Sequence, residues 1–265
     1  MFELADQSDG TSGIKQLWAL IDPIWKFDRA ELVDCMAKRV IYETDDLIAL
    51  DKPFQMAFSS LDKNCSGVIV FAKSHVKQLE MKAQLQNDAL LFRYRAICKG
   101  VPKLAKARIS IPLIKVLRGS NLKFCPLVGE ADERQQLYHL NTDVRMVNGN
   151  PRSSAHCSTP LNGEGLSHNF GLRGLNCPVV GDRKYVKAHL KCDTVLETAI
   201  SPNAMAALSL RKNDVRKLPM FLHRAEVHIP WTRASDGTVN SFHMIRAEMP
   251  PFFVHALKKL HLLKK

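Results

Sequence analysis

A carboxylate set just ahead of a glycine and an apolar strand, as in Leu61-Asp62-Lys63-Asn64-Cys65-Ser66-Gly67, can act as a nucleophile or a general base once a substrate is brought against it. Taken alone, an aspartate followed by Lys-Asn and a Ser-Gly pair is a loop residue closing an Asx turn. Gly165-Leu166-Ser167-His168-Asn169 has the outline of a serine nucleophile elbow, but Asn169 stands where the second glycine belongs and no strand leads in. His189 and Cys192, with Cys177, carry metal-binding atoms, yet no C-x-x-C pair exists, so no metal site is expected. No G-x-G-x-x-G and no P-loop occurs, which removes the common phosphate cradles. The seven cysteines are odd in number and widely spaced, and no secretory signal accompanies them, so they read as reduced thiols of an intracellular protein.

The elements that must hold such groups are partly legible. Val40-Ile41-Tyr42-Glu43 and Leu47-Ile48-Ala49-Leu50 flank Thr44-Asp45-Asp46, and Pro53 stops the second run, which predicts a hairpin. Val68 to Ala72 is β-branched and apolar after Gly67, hence a buried strand. A helix follows, with Ser74 as its cap and Val76, Leu79 and Ala83 on one face down to about Asn87. Leu91 to Cys98 alternates into a further strand, where Tyr94 by itself reads as a core residue. Strand, helix, strand in so short a span is a compact α/β unit. Gly119 to Asn169 is rich in Gly, Asn and Ser and predicts loops and an irregular sheet, with strand character only around Gln136 to Val144. Cys177 to Asp182 reads as a short strand or turn, Ala204 to Leu210 as helical, and Met220 to Ile229 as a strand ended by Pro230. Phe252 to Leu263 is a terminal basic helix with Val254, Leu257 and Leu260 at helical spacing.

Composition bounds the partner. Hydrophobic residues make up 46% of the 265, enough to bury a core, and no apolar run is long enough to span a bilayer, so no membrane partner is expected. The formal charge is +12 at pH 7, which makes an anion such as nucleic acid the first suspect. The charge is polarised: residues 1–50 carry 5 basic and 10 acidic side chains, and the remainder 33 basic and 16 acidic. The anion-binding surface therefore lies after residue 50. The acidic stretch Met1–Gly10 makes a poor transit peptide. Residues 1–39 are read as an acidic, partly helical N-terminal extension and 40–265 as the catalytic domain.

Four pieces of sequence, in order, resemble the RluA family of RNA pseudouridine synthases. Asp45 to Pro53, ending Asp51-Lys52-Pro53, resembles the family's strand followed by N/D-K-P. Leu61-Asp62-Lys63-Asn64-Cys65-Ser66-Gly67 resembles H-R-L-D-x-x-T-S-G, which holds the catalytic aspartate. Phe92-Arg93-Tyr94-Arg95-Ala96 resembles K-x-Y-x-A about 30 residues on, and Gly174 to Tyr185, followed by Leu222-His223-Arg224-Ala225, resembles the later motifs. Met249-Pro250-Pro251-Phe252-Phe253-Val254-His255 is similar to the end of the mitochondrial members. The chain differs at three points: Ser59-Ser60 replace His-Arg, only seven residues separate Pro53 from Leu61, and Pro160 to Gly171 carries His168 near the place of an arginine that pairs with the aspartate in P-x-T-G-x-x-H-Q-I/L-R-x-H.

The resemblance implies an α+β pseudouridine-synthase fold, a mixed, largely antiparallel sheet with flanking helices and a central cleft. It implies isomerisation of uridine to pseudouridine in a structured RNA, without cofactor. Asp62 would carry the chemistry, Tyr94 would stack the extruded base, and His168 would lie on the substrate side. Ribosomal, transfer or messenger RNA of the mitochondrion is the implied substrate and mitochondrial ribosome assembly an implied association, with a nuclear or cytoplasmic setting as the alternative. Ser60 and His168 keep a second reading open, a catalytically impaired RNA-binding or ribosome-assembly factor of the same fold.

Overall fold

The computed structural model of the chain describes residues 12–58, 61–87, 89–101, 103–118, 121–126, 137–150, 154–161, 177–182, 200–233 and 239–263. Among these residues ten strands join in one mixed sheet. β1 (Val40–Glu43) and β2 (Leu47–Lys52) form the predicted hairpin, whose turn Thr44 closes twice. Its N–H donates to the Leu47 carbonyl at 2.8 Å, and its hydroxyl accepts from the Leu47 N–H at 3.1 Å. β3 (Ser66–Ala72) pairs antiparallel with β2 and is buried along its first four residues, as its apolar run requires.

Helix α3 (His75–Gln86), third in chain order after two short helices of the N-terminal segment, starts where expected, with the Ser74 hydroxyl accepting from the Lys77 N–H at 3.2 Å. Its buried face differs from the expected one. Val76 and Leu79 are 78% and 52% exposed, while Gln84 is buried and Met81 and Leu85 pack against the core. Helical spacing alone does not choose between two weakly apolar stripes; contact with β3 does.

β4 (Leu91–Lys99) leads into the largest departure from the sequence reading. β5 (Lys106–Arg118) precedes the stretch expected to be loops and an irregular sheet, and that stretch contains β6 (Asn121–Pro126), β7 (Leu137–Asn150), where strand character was expected, and β8 (Ser154–Leu161), all joined antiparallel. β8 returns to pair with β4 along its whole length. β9 (Leu222–Arg233) then inserts between β3 and β4, and β10 (Val239–Arg246) pairs with β9. β9 runs through Pro230 rather than ending there. Beyond His228 it has left β4, so the missing proline N–H costs no ladder bond on that side.

Helices close the core. α1 (Gly13–Ala19) and α2 (Arg29–Ala37) lie in the N-terminal segment, separated by a 3-10 turn over Ile24–Lys26. α4 (Pro202–Ala207) precedes a 3-10 segment over Lys212–Lys217, and α5 (Pro251–Lys259) ends the described chain. α5 buries Phe252, Phe253, Ala256 and Leu257, with Phe252 tilted against Phe54 and Phe221. Ile14, Leu17 and Ile21 enter the same core as the strands, so the segment read as an extension packs into the domain from its first described turns. Gly13 permits this: a Cβ there would lie 1.8 Å from the Leu208 carbonyl oxygen.

Candidate active site

The sheet forks at β9. For two residues only, Ser66↔His223 and Gly67↔Arg224, β9 runs parallel to β3; from Glu226 onward β10 takes over that edge. On its other side β9 pairs with β4, placing Tyr94 opposite Arg224. With Lys52 opposite Gly67 on β2, one register row crosses four strands: Lys52, Gly67, Arg224, Tyr94. Residues in register share a face of a sheet, so three polar side chains converge across the glycine.

All three are buried: Lys52 and Tyr94 are 0% exposed and Arg224 3%. Arg224 Nε donates to Tyr94 Oη at 2.7 Å, and Nη1 donates to the Val68 carbonyl at 3.5 Å. The guanidinium carbon lies 4.6 Å from the Phe92 ring centroid and 5.2 Å from that of Tyr94, residues i and i+2 of β4 and so on one face. Lys52 Nζ donates to the carbonyls of Pro53 (3.1 Å) and Met56 (2.8 Å), pinning the loop after β2.

Asp62 sits on the turn that feeds β3 and is half-buried. The Asn64 N–H donates to its Oδ1 at 2.9 Å and the Cys65 N–H to its carbonyl at 3.0 Å, an Asx turn of the kind its sequence predicts. Gln55 clamps this turn to the Lys52 loop, its N–H donating to Lys63 O at 2.7 Å and its side-chain amide to Asn64 Oδ1 at 3.2 Å. The turn residue and the candidate reacting group are thus the same aspartate.

The cluster is electrostatically coupled. Burial lowers Lys52 to about 8, with Cys65 and Asp62 opposing that shift and Arg224 reinforcing it. Burial pushes the Cys65 thiol up to about 11 against the pull of Lys52 and Arg224. Burial likewise raises the Tyr94 phenol to about 12, opposed by the Arg224 charge and hydrogen bond. Cys65 and Tyr94 are therefore neutral at pH 7.

The opposite face of the same junction carries a different pair. His223 is 0% exposed; its Nε2 is 3.3 Å from the Ala247 carbonyl, which can only accept, so Nε2 carries the proton and Nδ1 accepts from the Ser66 hydroxyl at 3.0 Å. Burial lowers the imidazole to about 4. At the outer edge Glu226 is held by Arg93 (2.8 Å), His228 (3.0 Å) and Arg246 (3.3 Å). Burial alone would raise its pKa; the His228 hydrogen bond and the Arg93 and Arg246 charges hold it below the usual range. The arginines leave much of their own side chains exposed, 39% for Arg93 and 62% for Arg246.

Of the residues singled out from sequence, Asp62 and Tyr94 are brought to one junction, while His168 and Ser60 lie outside the described residues. Sequence reasoning quoted Lys52 and Arg224 within motifs and assigned them no role. The signal available was polar residues at 223, 224, 226 and 228 interrupting the apolar run of Met220–Ile229. Of the motif over Gly174–Tyr185, the described part, Cys177–Asp182, is wedged against β4: the Val180 N–H donates to Ile97 O at 2.8 Å, and Val180 O accepts from the Phe221 N–H at 2.9 Å. No group of three metal-binding side chains occurs among the described residues.

The chain is 25% identical over 219 residues to the zebrafish (Danio rerio) protein named "Pseudouridylate synthase RPUSD4, mitochondrial", covering 76% of this chain and 58% of that protein. The human protein of the same name is 23% identical over 215 residues, covering 76% of this chain and 55% of the relative. The chain thus spans a little over half the length of these two relatives. Among solved structures, human RNA Pseudouridylate Synthase Domain Containing 4 superposes with a TM-score of 0.69 at 19% identity, covering 88% of this chain and 97% of that one. Human RNA Pseudouridylate Synthase Domain Containing 1 gives 0.52 at 15% identity, covering 82% and 86%. No family model matches the chain.

Proposed function

Since the chain belongs to the RluA-type family of pseudouridine synthases, we propose that it isomerises uridine to pseudouridine in a structured RNA. The observation that carries this reading is the placement of Asp62 on a rigid turn at the sheet fork, in one electrostatic cluster with Lys52 and Arg224. The reaction breaks the bond from ribose C1′ to uracil N1 and joins C1′ to C5. The C5 hydrogen leaves as a proton and N1 gains one, so no electrons are exchanged and no cofactor is called for. What the reaction needs is a carboxylate that can attack or accept a proton and a pocket for a base taken out of its stack, at a cost of a few kcal/mol.

Asp62 is the proposed catalytic group. Tyr94 is the proposed platform for the extruded base; its ring is enclosed here, so stacking requires that enclosure to open when RNA binds. His168 is the proposed substrate-side residue of the motif it occupies. Arg93 and Arg246, at the fork's outer edge, are suited to phosphate contacts. The names of the relatives favour a mitochondrial RNA, ribosomal, transfer or messenger.

The test is site-resolved pseudouridine mapping of mitochondrial and cytosolic RNA from cells lacking the protein, rescued with the chain as given or with Asp62→Ala. A site that disappears and returns only with Asp62 establishes the synthase. If both forms restore growth or ribosome assembly and no site changes, the protein is an RNA-binding relative. Ser60 and His168, in place of the family's arginines, favour that second reading.

A further inference from the structure

The register of β9 against β4 skips one residue. Arg93 lies opposite Glu226, and the next β4 residue, Tyr94, lies opposite Arg224, so Ala225 is an extra residue in β9, a bulge. Consecutive residues of a strand point to opposite faces. Tyr94 and Arg224 therefore belong to the face of the candidate site, and Arg93 and Glu226 to the other. Without the bulge, Glu226 would share the face of Arg224.

The second face is a continuous patch. One register row crosses it from β10 to β4: Arg246, Glu226, Arg93. His228 bonds the same carboxylate and meets the ring of Phe242 in a T-shaped contact, with 6.3 Å between centroids. Arg246 Nη2 donates to Met244 Sδ at 3.2 Å. Phe242, Met244 and Arg246 are residues i, i+2 and i+4 of β10, so one side of that strand presents an aromatic ring, a thioether and a guanidinium in turn. Phe242 is 41% and Met244 48% exposed, although both are side chains that burial would stabilise. Arg95, two residues along β4 from Arg93, adds a further guanidinium, repelled by Arg93 and drawn to Glu226. Among these residues three guanidiniums stand against one carboxylate, a surplus of positive charge.

That combination fits a nucleic acid strand with unstacked bases. Its phosphates answer the charge, and any of its bases has a face to lay on the ring. A phosphate oxygen is also a far stronger acceptor for Arg246 than the thioether it now holds. A duplex offers phosphates but keeps its bases stacked, and so leaves Phe242 uncovered. A nucleotide seated against Tyr94 is on the far side of β4 from Phe242 and Arg93, so the two places take different parts of the RNA.

We propose that the β4–β9–β10 face is a second RNA-binding platform, for a single-stranded segment other than the one that presents the modified uridine: Phe242 stacks one of its bases, and Arg93 and Arg246 hold its phosphates. This assignment rests on RNA as the substrate.

The test uses the full chain and a fluorescein-labelled oligouridylate as the probe. Binding is read by anisotropy over a series of salt concentrations, with folding checked by circular dichroism. Phe242→Ala is expected to weaken binding by roughly tenfold with the salt slope unchanged, because a lost stack removes no charge. Phe242→Tyr, which keeps the ring, is expected to bind within about twofold of the wild type. Arg246→Ala is expected to weaken binding and to lower the salt slope by about 0.7. Photocrosslinking of an iodouridine-substituted oligouridylate, with peptides mapped by mass spectrometry, is expected to mark Phe242.

Equal affinity of the wild type and Phe242→Ala for the probe overturns the platform and leaves the face to a protein partner. A wild type that does not bind the probe overturns it as well. So does an equal loss for an RNA duplex, because the ring would then act on the fold of the face rather than on a base. Should Phe242→Ala fail to fold, Phe242→Leu takes its place, keeping apolar volume without an aromatic face. If the mapping experiment finds no modified uridine while binding of the probe still depends on Phe242, the synthase reading fails and the platform stands. The reverse pattern keeps the synthase and removes the platform.

Discussion

His223 shows how strictly the fork is built. Its neutral ring accepts from Ser66 through Nδ1 while donating to Ala247 through Nε2, and protonation would bury a charge and force the Ser66 hydroxyl to turn and accept instead. The folded imidazole takes a proton only near pH 4, the unfolded one at 6.5, so the unfolded state holds more protons between those values and stability falls as pH drops across that window. Asp51 acts in the opposite sense: burial raises its carboxyl from 3.8 to about 6, so the folded state is the one that holds more protons there. Comparing the wild type with His223→Gln separates the two. The variant keeps an acceptor for Ser66 and a donor for Ala247, and its denaturation free energy is expected to fall less than the wild type's between pH 6.5 and 4. A parallel fall would assign the acid sensitivity to other groups. At this same scale the Asx turn of Asp62 and the strand that carries Tyr94 were readable, because each stands in a local motif. The surroundings of Arg224 were not, because its neighbours come from β3 and β4.

The junction of β3 with β9 is two residues long, and Gly67 is its weak point. Its φ of +111° is a conformation that L side chains rarely adopt, and a Cβ would strike backbone rather than a flexible side chain. Gly67→Ala is therefore expected to cost about 2 kcal/mol or more of unfolding free energy. It should also displace Arg224 from Tyr94, seen as fast hydrogen exchange at the Arg224 amide in a chain still folded elsewhere. A variant as stable as the wild type would show that the strands separate here at little cost.

Elements with local signals were foreseen: the β1–β2 hairpin by its turn, α3 by Ser74, α5 by its apolar spacing. β7 coincides with the strand character read around Gln136 to Val144, whereas β6 and β8 had no such local signal, because their short runs are broken by polar and small residues and the pairing that makes them strands is tertiary. Pro230 misled for a related reason. A proline ends a strand only where a partner needs its N–H.

The molecule as a whole is electrically lopsided, with the acidic side chains concentrated in the first 50 residues and an excess of basic ones after them. An RNA bound through the basic part must release counterions, so affinity is expected to fall with salt, by about 0.7 log unit per log unit of salt for each single-stranded phosphate contact. Arg93→Ala and Arg246→Ala should each lower that slope by about one contact without changing which uridine is modified. A slope unchanged in both variants would remove these residues from the RNA surface.

The fork also sets an order of events. Ser66 and His223 are 157 residues apart, and at bacterial-to-eukaryotic synthesis rates β9 leaves the ribosome roughly eight to thirty seconds after β3. Through that interval the hairpin and β3 exist without the strand that completes the cluster, and Lys52 and the Asp62 turn face water. The proposed site is thus completed late in the birth of the chain, when β9 slides between two strands already made.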